Sequence, residues 1–228
     1  MKRARSGRAA EERVFNAVLD AVLDHRLAPG TKLAERELSE LLGASRGAVR
    51  AALARLGHSL LVELRPNRGA VIANPTAAET RDLFEARRVI EAAVVQRLAR
   101  ALSAKQVTEL RAFVADEQRA YERGDGKTGQ RLSIRFHKLL SELAGNGELD
   151  RFMEQLICRT PLLTLAYKGP QLAYCGADEH REVVEALARR DPTLAVKRMC
   201  AHLSNLEGQL RVGDELQPSS LRAALAVP

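Results

Sequence analysis

The sequence has no tryptophan, and its aromatic residues together amount to only 4%. Strands draw on aromatic and β-branched side chains, so this composition disfavours a large sheet. The cysteines, Cys158, Cys175 and Cys200, are far apart and form no CxxC pair. Their odd number argues against a closed disulfide framework and leaves them as thiols in a reducing compartment. No apolar run approaches the roughly 20 residues of a membrane-spanning helix. The basic start, "MKRARSGRAAEERV", lacks the apolar stretch of a signal peptide. The expectation is a soluble, cytoplasmic chain with no membrane partner.

What is present is helical material. Hydrophobic residues make up 46% of the 228 positions, mostly Leu, Ala and Val. That is enough for one large domain or two smaller ones. The net charge of +7 is uneven: residues 1–75 carry 13 Lys/Arg against 8 Asp/Glu, and the remainder is nearly balanced. A basic first third suits a polyanion such as nucleic acid, although a solvated cationic surface would look the same.

Along the chain, Val14, Phe15, Val18, Leu19 and Val22 predict a helix over about residues 10–26. "LAPGTKL" follows as a turn, with Pro29 and Gly30. Two short helices are expected over about 35–42 and 46–57. "LLVEL" and "AVIA" then read as strands joined by the turn residues Arg65-Pro66-Asn67-Arg68-Gly69, a β-hairpin. Beyond Pro75 the pattern is helical. Thr76 with Glu79 and Ser103 with Gln106 are capping boxes opening helices to about Ala101 and Arg123. Gly124, Gly126 and Gly129 are expected to bracket a loop. Further helices fit about 130–144, 148–159, 178–190 and 193–210, and 213–228 reads as a loose tail. The fold expected is mainly α, with domains over 1–75 and 76–212 and the tail after them.

The stretch "ERELSELLGASRGAVRAALARL" carries the first function. Two short helices around a tight Gly turn, followed by a hairpin, are the parts of a winged helix-turn-helix. Ser45 would cap the second helix, whose N-terminus suits a phosphate. Val49, Leu53 and Leu56 would face inward, with Arg50, Gly47 and Ala54 outward. Arg46 lies one turn before Arg50. Small neighbours permit close approach to a groove, and an arginine forking onto guanine contributes roughly 1–3 kcal/mol of base discrimination. Arg36 would lie where the first helix crosses the DNA backbone. Asn67, Arg68 and Gly69, at the hairpin tip, would reach a neighbouring groove. An ordinary three-helix packing unit with surface arginines is the plainer alternative.

Residues 10–74 resemble the winged helix-turn-helix of the GntR family of bacterial transcription regulators. The likeness lies in the Pro-Gly turn, the Glu-Leu-Ser-Glu helix, the Ser-Arg…Val-Arg recognition helix and the Arg-Gly wing, in that order. It implies contacts to double-stranded operator DNA by Arg36, Ser45, Arg46, Arg50 and Gly69. Two positions depart from the family pattern. Ala48 stands where a proline is frequent, which bears on base preference. Leu60 stands where a glycine is common, which bears on the entry to the wing.

Three of the five histidines fall in the later helices. His137 lies one turn after Ser133, on the same face. His180 shares a face with Val184 and Leu187, and His202 with Met199 and Leu206. Asp191-Pro192 breaks the chain midway between His180 and His202, eleven residues from each. In an antiparallel pair the two imidazoles would lie at one height, and with His137 could make a metal site inside a bundle. Three separate core histidines would satisfy the pattern equally.

"LFEARRVIEAAVVQRLA", "FHKLLSELAGNGELDRF" and "DEHREVVEALARRDPTLAVKRMCAHL" resemble the FCD ligand-binding domain of the FadR subfamily. The resemblance implies an all-α bundle of about six or seven helices. It also implies a divalent metal, often zinc, held by one Asp and three His. The histidines match His137, His180 and His202, but the Asp position holds Ser133. A serine hydroxyl is a weak ligand, and family members without metal exist. Arg87 matches an arginine that reaches the effector cavity in related regulators, and a guanidinium suits a carboxylate. The alternative for Arg87 is a surface ion pair with Glu91.

The function expected is a homodimeric regulator, not an enzyme, acting as a repressor that responds to a small organic-acid or sugar-acid effector. The rival readings are a metal-dependent hydrolase, because three histidines could activate water, and a DNA-binding regulator with a vacant pocket.

Overall fold

The computed structural model describes residues 2–65, 69–163, 176–210 and 220–226. The wing-tip candidates Asn67 and Arg68 lie outside these. The described chain divides into two compact units, one of residues 2–76 with 158–163 and 220–226, the other of 77–157 with 176–210.

The first unit opens with α1 (Lys2–Leu23), longer at its start than the apolar stripe predicts. Its Val14, Val18 and Val22 are buried. The helix ends before Arg26 because the chain reverses at His25, which takes φ +56°. A two-residue strand, β1 (Lys32–Leu33), follows and was not read from the sequence. Then come α2 (Glu35–Leu42) and α3 (Arg46–His58), as expected. Gly43 joins them at φ +56°, a left-handed conformation, donating its N–H to the Ser39 carbonyl. This lets α2 stop and α3 start within three residues. The hairpin is β2 (Val62–Arg65) and β3 (Gly69–Ile72). β3 is central, antiparallel to both neighbours, pairing Leu33 with Ala70 and Val62 with Ile72. Gly69 sits at φ +83°, and a Cβ there would lie 2.3 Å from the Leu33 carbonyl oxygen. Only glycine lets β3 pass β1 so closely.

The second unit is all helix: α4 (Ala77–Ala101), α5 (Ala104–Glu122), α6 (Gly126–Leu143), α7 (Gly147–Ile157), α8 (Ala177–Ala188) and α9 (Pro192–Gly208). The Ser103–Gln106 capping box forms at the start of α5. One expectation fails: Gly126 and Gly129 lie inside α6 and bracket no loop. The Asp125 side chain accepts the Thr128 N–H at 3.1 Å and starts the helix. Gly129 then lies against the Tyr121 ring, leaving no room for a side chain. α4 packs along α9, and α5 packs on α6 and α8.

Within the stretch read as a loose tail, the described residues form α10 (Leu221–Leu225). It belongs to the first unit, packing on α1 and α2, with Leu221, Ala224 and Leu225 in that unit's core. The Arg26 guanidinium donates to the Ala224 carbonyl, satisfying an otherwise orphaned group at the helix end. Five residues carry too short a period for a helix to be read from sequence.

Candidate functional site

In the first unit, Ser45 adopts an extended conformation and its side chain accepts the Ala48 N–H at 3.2 Å, capping α3. Ala48, Val49, Ala52, Leu53 and Leu56 are buried, which turns Arg46, Gly47 and Arg50 to the exposed face. Ala54, expected outside, is half-buried. The Arg50 Nε donates to Glu35 at 2.8 Å, so α3's outer arginine is tethered to the start of α2. Arg36 pairs with Glu40 on the exposed face of α2. Glu35, Arg50, Leu64, Arg65 and Gly69 line one groove between α3 and the hairpin. Arg50 of α3, Arg65 of β2 and Gly69 of β3 thus share one groove, while Ser45 and Arg46 are exposed at the start of α3. Leu60, before β2, takes φ +54° and is 55% exposed.

In the second unit, three imidazoles meet. His137 comes from α6, His180 from α8 and His202 from α9, and all three are buried. The Nε2 atoms of His180 and His202 are 3.2 Å apart, and those of His202 and His137 3.3 Å. The equal spacing about Asp191 brings the first two together, because α8 and α9 form the hairpin that Asp191 and Pro192 break. Phe136 stacks on the His180 ring, with centroids 4.2 Å apart. Ser133 is buried one turn before His137 on α6.

Each imidazole has a carboxylate behind it. Glu91 of α4 lies 2.5 Å from His137 Nδ1, Glu117 of α5 lies 2.8 Å from His180 Nδ1, and Glu179 lies 2.8 Å from His202 Nδ1. A carboxylate accepts, so each Nδ1 carries the proton and each Nε2 turns a lone pair inward. Arg87 Nε donates to the other Glu91 oxygen at 2.7 Å, and both side chains are 1% exposed. The ion pair with Glu91, the surface alternative for Arg87, forms but is buried. Burial works to raise the Glu91 pKa, but the Arg87 charge and the His137 imidazole beside it outweigh it and hold it down to about 2. Asn205 donates to the second Glu179 oxygen. Glu182, the other acid flanking His180 in sequence, turns away to Arg198.

The arrangement fits a metal. Three inward lone pairs repel one another unless a cation lies among them, and a single shared proton can serve only one pair. A tetrahedral ion with bonds of about 2.0–2.1 Å places its nitrogens about 3.3–3.4 Å apart, close to the 3.2 and 3.3 Å of the two pairs that share His202. His137, His180 and His202 could thus hold a divalent ion, which would supply a Lewis-acidic anchor for an oxygen ligand.

Sequence reasoning missed Glu117 and left Glu91 as a surface partner. A signal was available for both. Glu117 falls on the stripe of Leu110 and Val114, and Glu91 on that of Phe84, Val94 and Val95. An acid on an apolar stripe is buried and needs a partner.

Comparison with known proteins agrees with both units. Residues 10–72 match the bacterial regulatory proteins of the gntR family, and residues 82–205 match the FCD domain. The HTH-type transcriptional repressor RspR of Escherichia coli K12 is 26% identical over 203 residues, 88% of each chain. A structure described as a GntR transcriptional regulator from Rhodococcus sp. RHA1 superposes with a TM-score of 0.74 at 25% identity, covering 88% of this chain and 97% of that one. The fold of E. coli McbR/YncC superposes with a TM-score of 0.75 at 20% identity, covering 86% and 94%.

Proposed function

Because the chain belongs to the GntR family of bacterial regulators and carries an FCD domain, we propose that this transcriptional regulator is a repressor released from its operator by a small acid bound in the helical unit. Residues 1–75 bind DNA in this reading, and residues 76–212 bind the effector and dimerise. Two copies of α3 enter successive major grooves of a palindromic site, with Arg46 and Arg50 on the bases or phosphates and Ser45, Arg36 and Gly69 on the backbone. Asn67 and Arg68 extend the wing's contact. The likeness to RspR supports repression.

In the helical unit a divalent ion, zinc by the nitrogen donor set, is held by His137, His180 and His202. Ser133 leaves its remaining positions open to water or to an effector carboxylate. Arg87, one contact behind His137 through Glu91, offsets one of the carboxylate charges around the cluster and so eases the approach of an anion. The acid releases DNA only to the extent that it prefers one arrangement of the dimer.

The observation that carries this reading is the convergence of three buried imidazoles, from α6, α8 and α9, on one point. The hydrolase reading loses ground on the same geometry: all three nearby carboxylates are engaged on Nδ1 atoms, none of them poised as a general base. The relatives, too, are regulators. Ser133 favours one alternative, a cluster bridged by a proton with no metal in it.

A thermal-shift screen of organic and sugar acids, with and without chelator, tests the proposal. An acid that raises the melting temperature only in metal-loaded protein is expected. Purified protein that carries no metal, takes none up and responds to no acid would overturn it.

A further inference from the structure

The family pattern puts one negative charge inside the ligand shell, at the position occupied here by Ser133. Three neutral imidazoles alone would leave a divalent ion uncompensated in a buried site, which is costly. The compensation stands one layer out. Glu91, Glu117 and Glu179 each touch one Nδ1, and Arg87 touches Glu91. At formal charge these four side chains sum to −2, equal and opposite to a divalent cation. Glu117 is fully buried, and its Oε1 has no hydrogen-bond partner among the described residues. Such an atom is unfavourable, and the carboxylate's charge is offset when a cation on the far side of the His180 ring strengthens the N–H donated to its other oxygen.

We propose that Glu91, Glu117 and Glu179 are positioning residues that orient the three imidazoles and supply from outside the ligand shell the negative charge that Ser133 withholds from within it. The inference rests on the metal reading of the histidines and extends it. It predicts that charge at these carboxylates, and not only their hydrogen bond, sets metal affinity. Outer partners of ligating histidines typically change affinity 10–100-fold.

The test is competition for Zn²⁺ between a chromophoric chelator and the full chain, with metal-free folding checked by circular dichroism. Glu117→Gln and Glu179→Gln keep an acceptor on Nδ1 but remove the charge. Glu179 is partly exposed, so its variant keeps the test available if the buried Glu117→Gln does not fold. Each variant is expected to bind Zn²⁺ about 10–100-fold more weakly, and adding Ser133→Asp to either is expected to restore at least part of the loss. Weakening that Ser133→Asp does not rescue would mark a purely structural role and overturn the inference. So would affinity within twofold of the parent, provided His180→Ala/His202→Ala loses binding. If that double histidine variant binds Zn²⁺ as the parent does, the metal reading itself fails.

Discussion

Replacing Arg87 by methionine separates a buried structural charge from a merely exposed pair. Arg87 and Glu91 are each 1% exposed, joined at 2.7 Å, with His137 on the second Glu91 oxygen. An exposed pair contributes 0.2–1 kcal/mol, roughly. Removing one partner of a buried pair costs about 3–5 kcal/mol, because the other charge stays behind without its counter-ion. Methionine fills much of the arginine stem's volume, so little of the loss comes from a cavity. We therefore expect Arg87→Met to lower the stability of the metal-free helical unit by about 3–5 kcal/mol at neutral pH. Adding Glu91→Met should recover a large part of this by removing the stranded carboxylate. The pH dependence has a definite sign. In the parent, Glu91 titrates at about 2, below its ordinary 4.5, so its contribution persists at neutral pH and fades only as pH falls toward 2. Without Arg87, burial raises that pKa, and protonation then relieves the variant. The gap between the two proteins should narrow as pH falls. Urea unfolding followed by far-ultraviolet circular dichroism measures this, since the sequence has no tryptophan to report. A loss below about 1 kcal/mol, the range of exposed pairs, would refute the reasoning.

Three further outcomes follow from the first unit. Arg50→Ala should leave the fold intact and lose base discrimination, by roughly 1–3 kcal/mol at the contacted pair; footprints of unchanged selectivity would remove α3 as the reading helix. Leu60→Gly relieves a left-handed leucine that is mostly exposed, and should stabilise the unit by about 0.5–1 kcal/mol after the added chain freedom of glycine; a destabilised variant in urea melts would contradict the strain at φ +54°. Leu225→Ser uncovers a leucine of α10 whose burial against α1 and α2 is worth about 1.5–3 kcal/mol at most. Faster amide hydrogen exchange in α1 and α2 is expected, and unchanged exchange would show that α10 does not brace them.

The sequence made most of the fold legible where local chemistry decides it. Gly43, the Ser45 cap and the apolar spacing of Val49, Leu53 and Leu56 define α2, the turn and α3 within a residue. The Ser103 box does the same for α5, and the Asp191-Pro192 break places the turn of the α8–α9 hairpin, with the C-terminal ends of the two expected helices each two residues long. What escaped depends on contacts distant in sequence. β1 has two residues and exists because β3 pairs with it. α10 exists because α1 and α2 leave an apolar face for Leu221, Ala224 and Leu225. The reading of Gly126 and Gly129 as loop residues gave glycine more weight than the cap at Asp125. At the histidine cluster, counting residues from the hairpin turn anticipated the meeting of His180 and His202. The carboxylates behind them come from α4, α5 and α8, and only packing brings them to the Nδ1 atoms. The departure at Leu60 acquires a physical meaning from the structure, since the backbone there is one that glycine adopts more readily.

The most direct measurement of the whole account is operator affinity of the Zn²⁺-loaded protein, by fluorescence anisotropy at fixed salt, with and without the acid found by thermal shift. The parent should bind at least about fivefold more weakly when the acid is present, within the usual range of coupling between sites. In His180→Ala/His202→Ala the acid should have no effect. Equal operator affinity with and without the acid in the parent, or an undiminished response in the histidine variant, would contradict the claim that this cluster governs DNA binding.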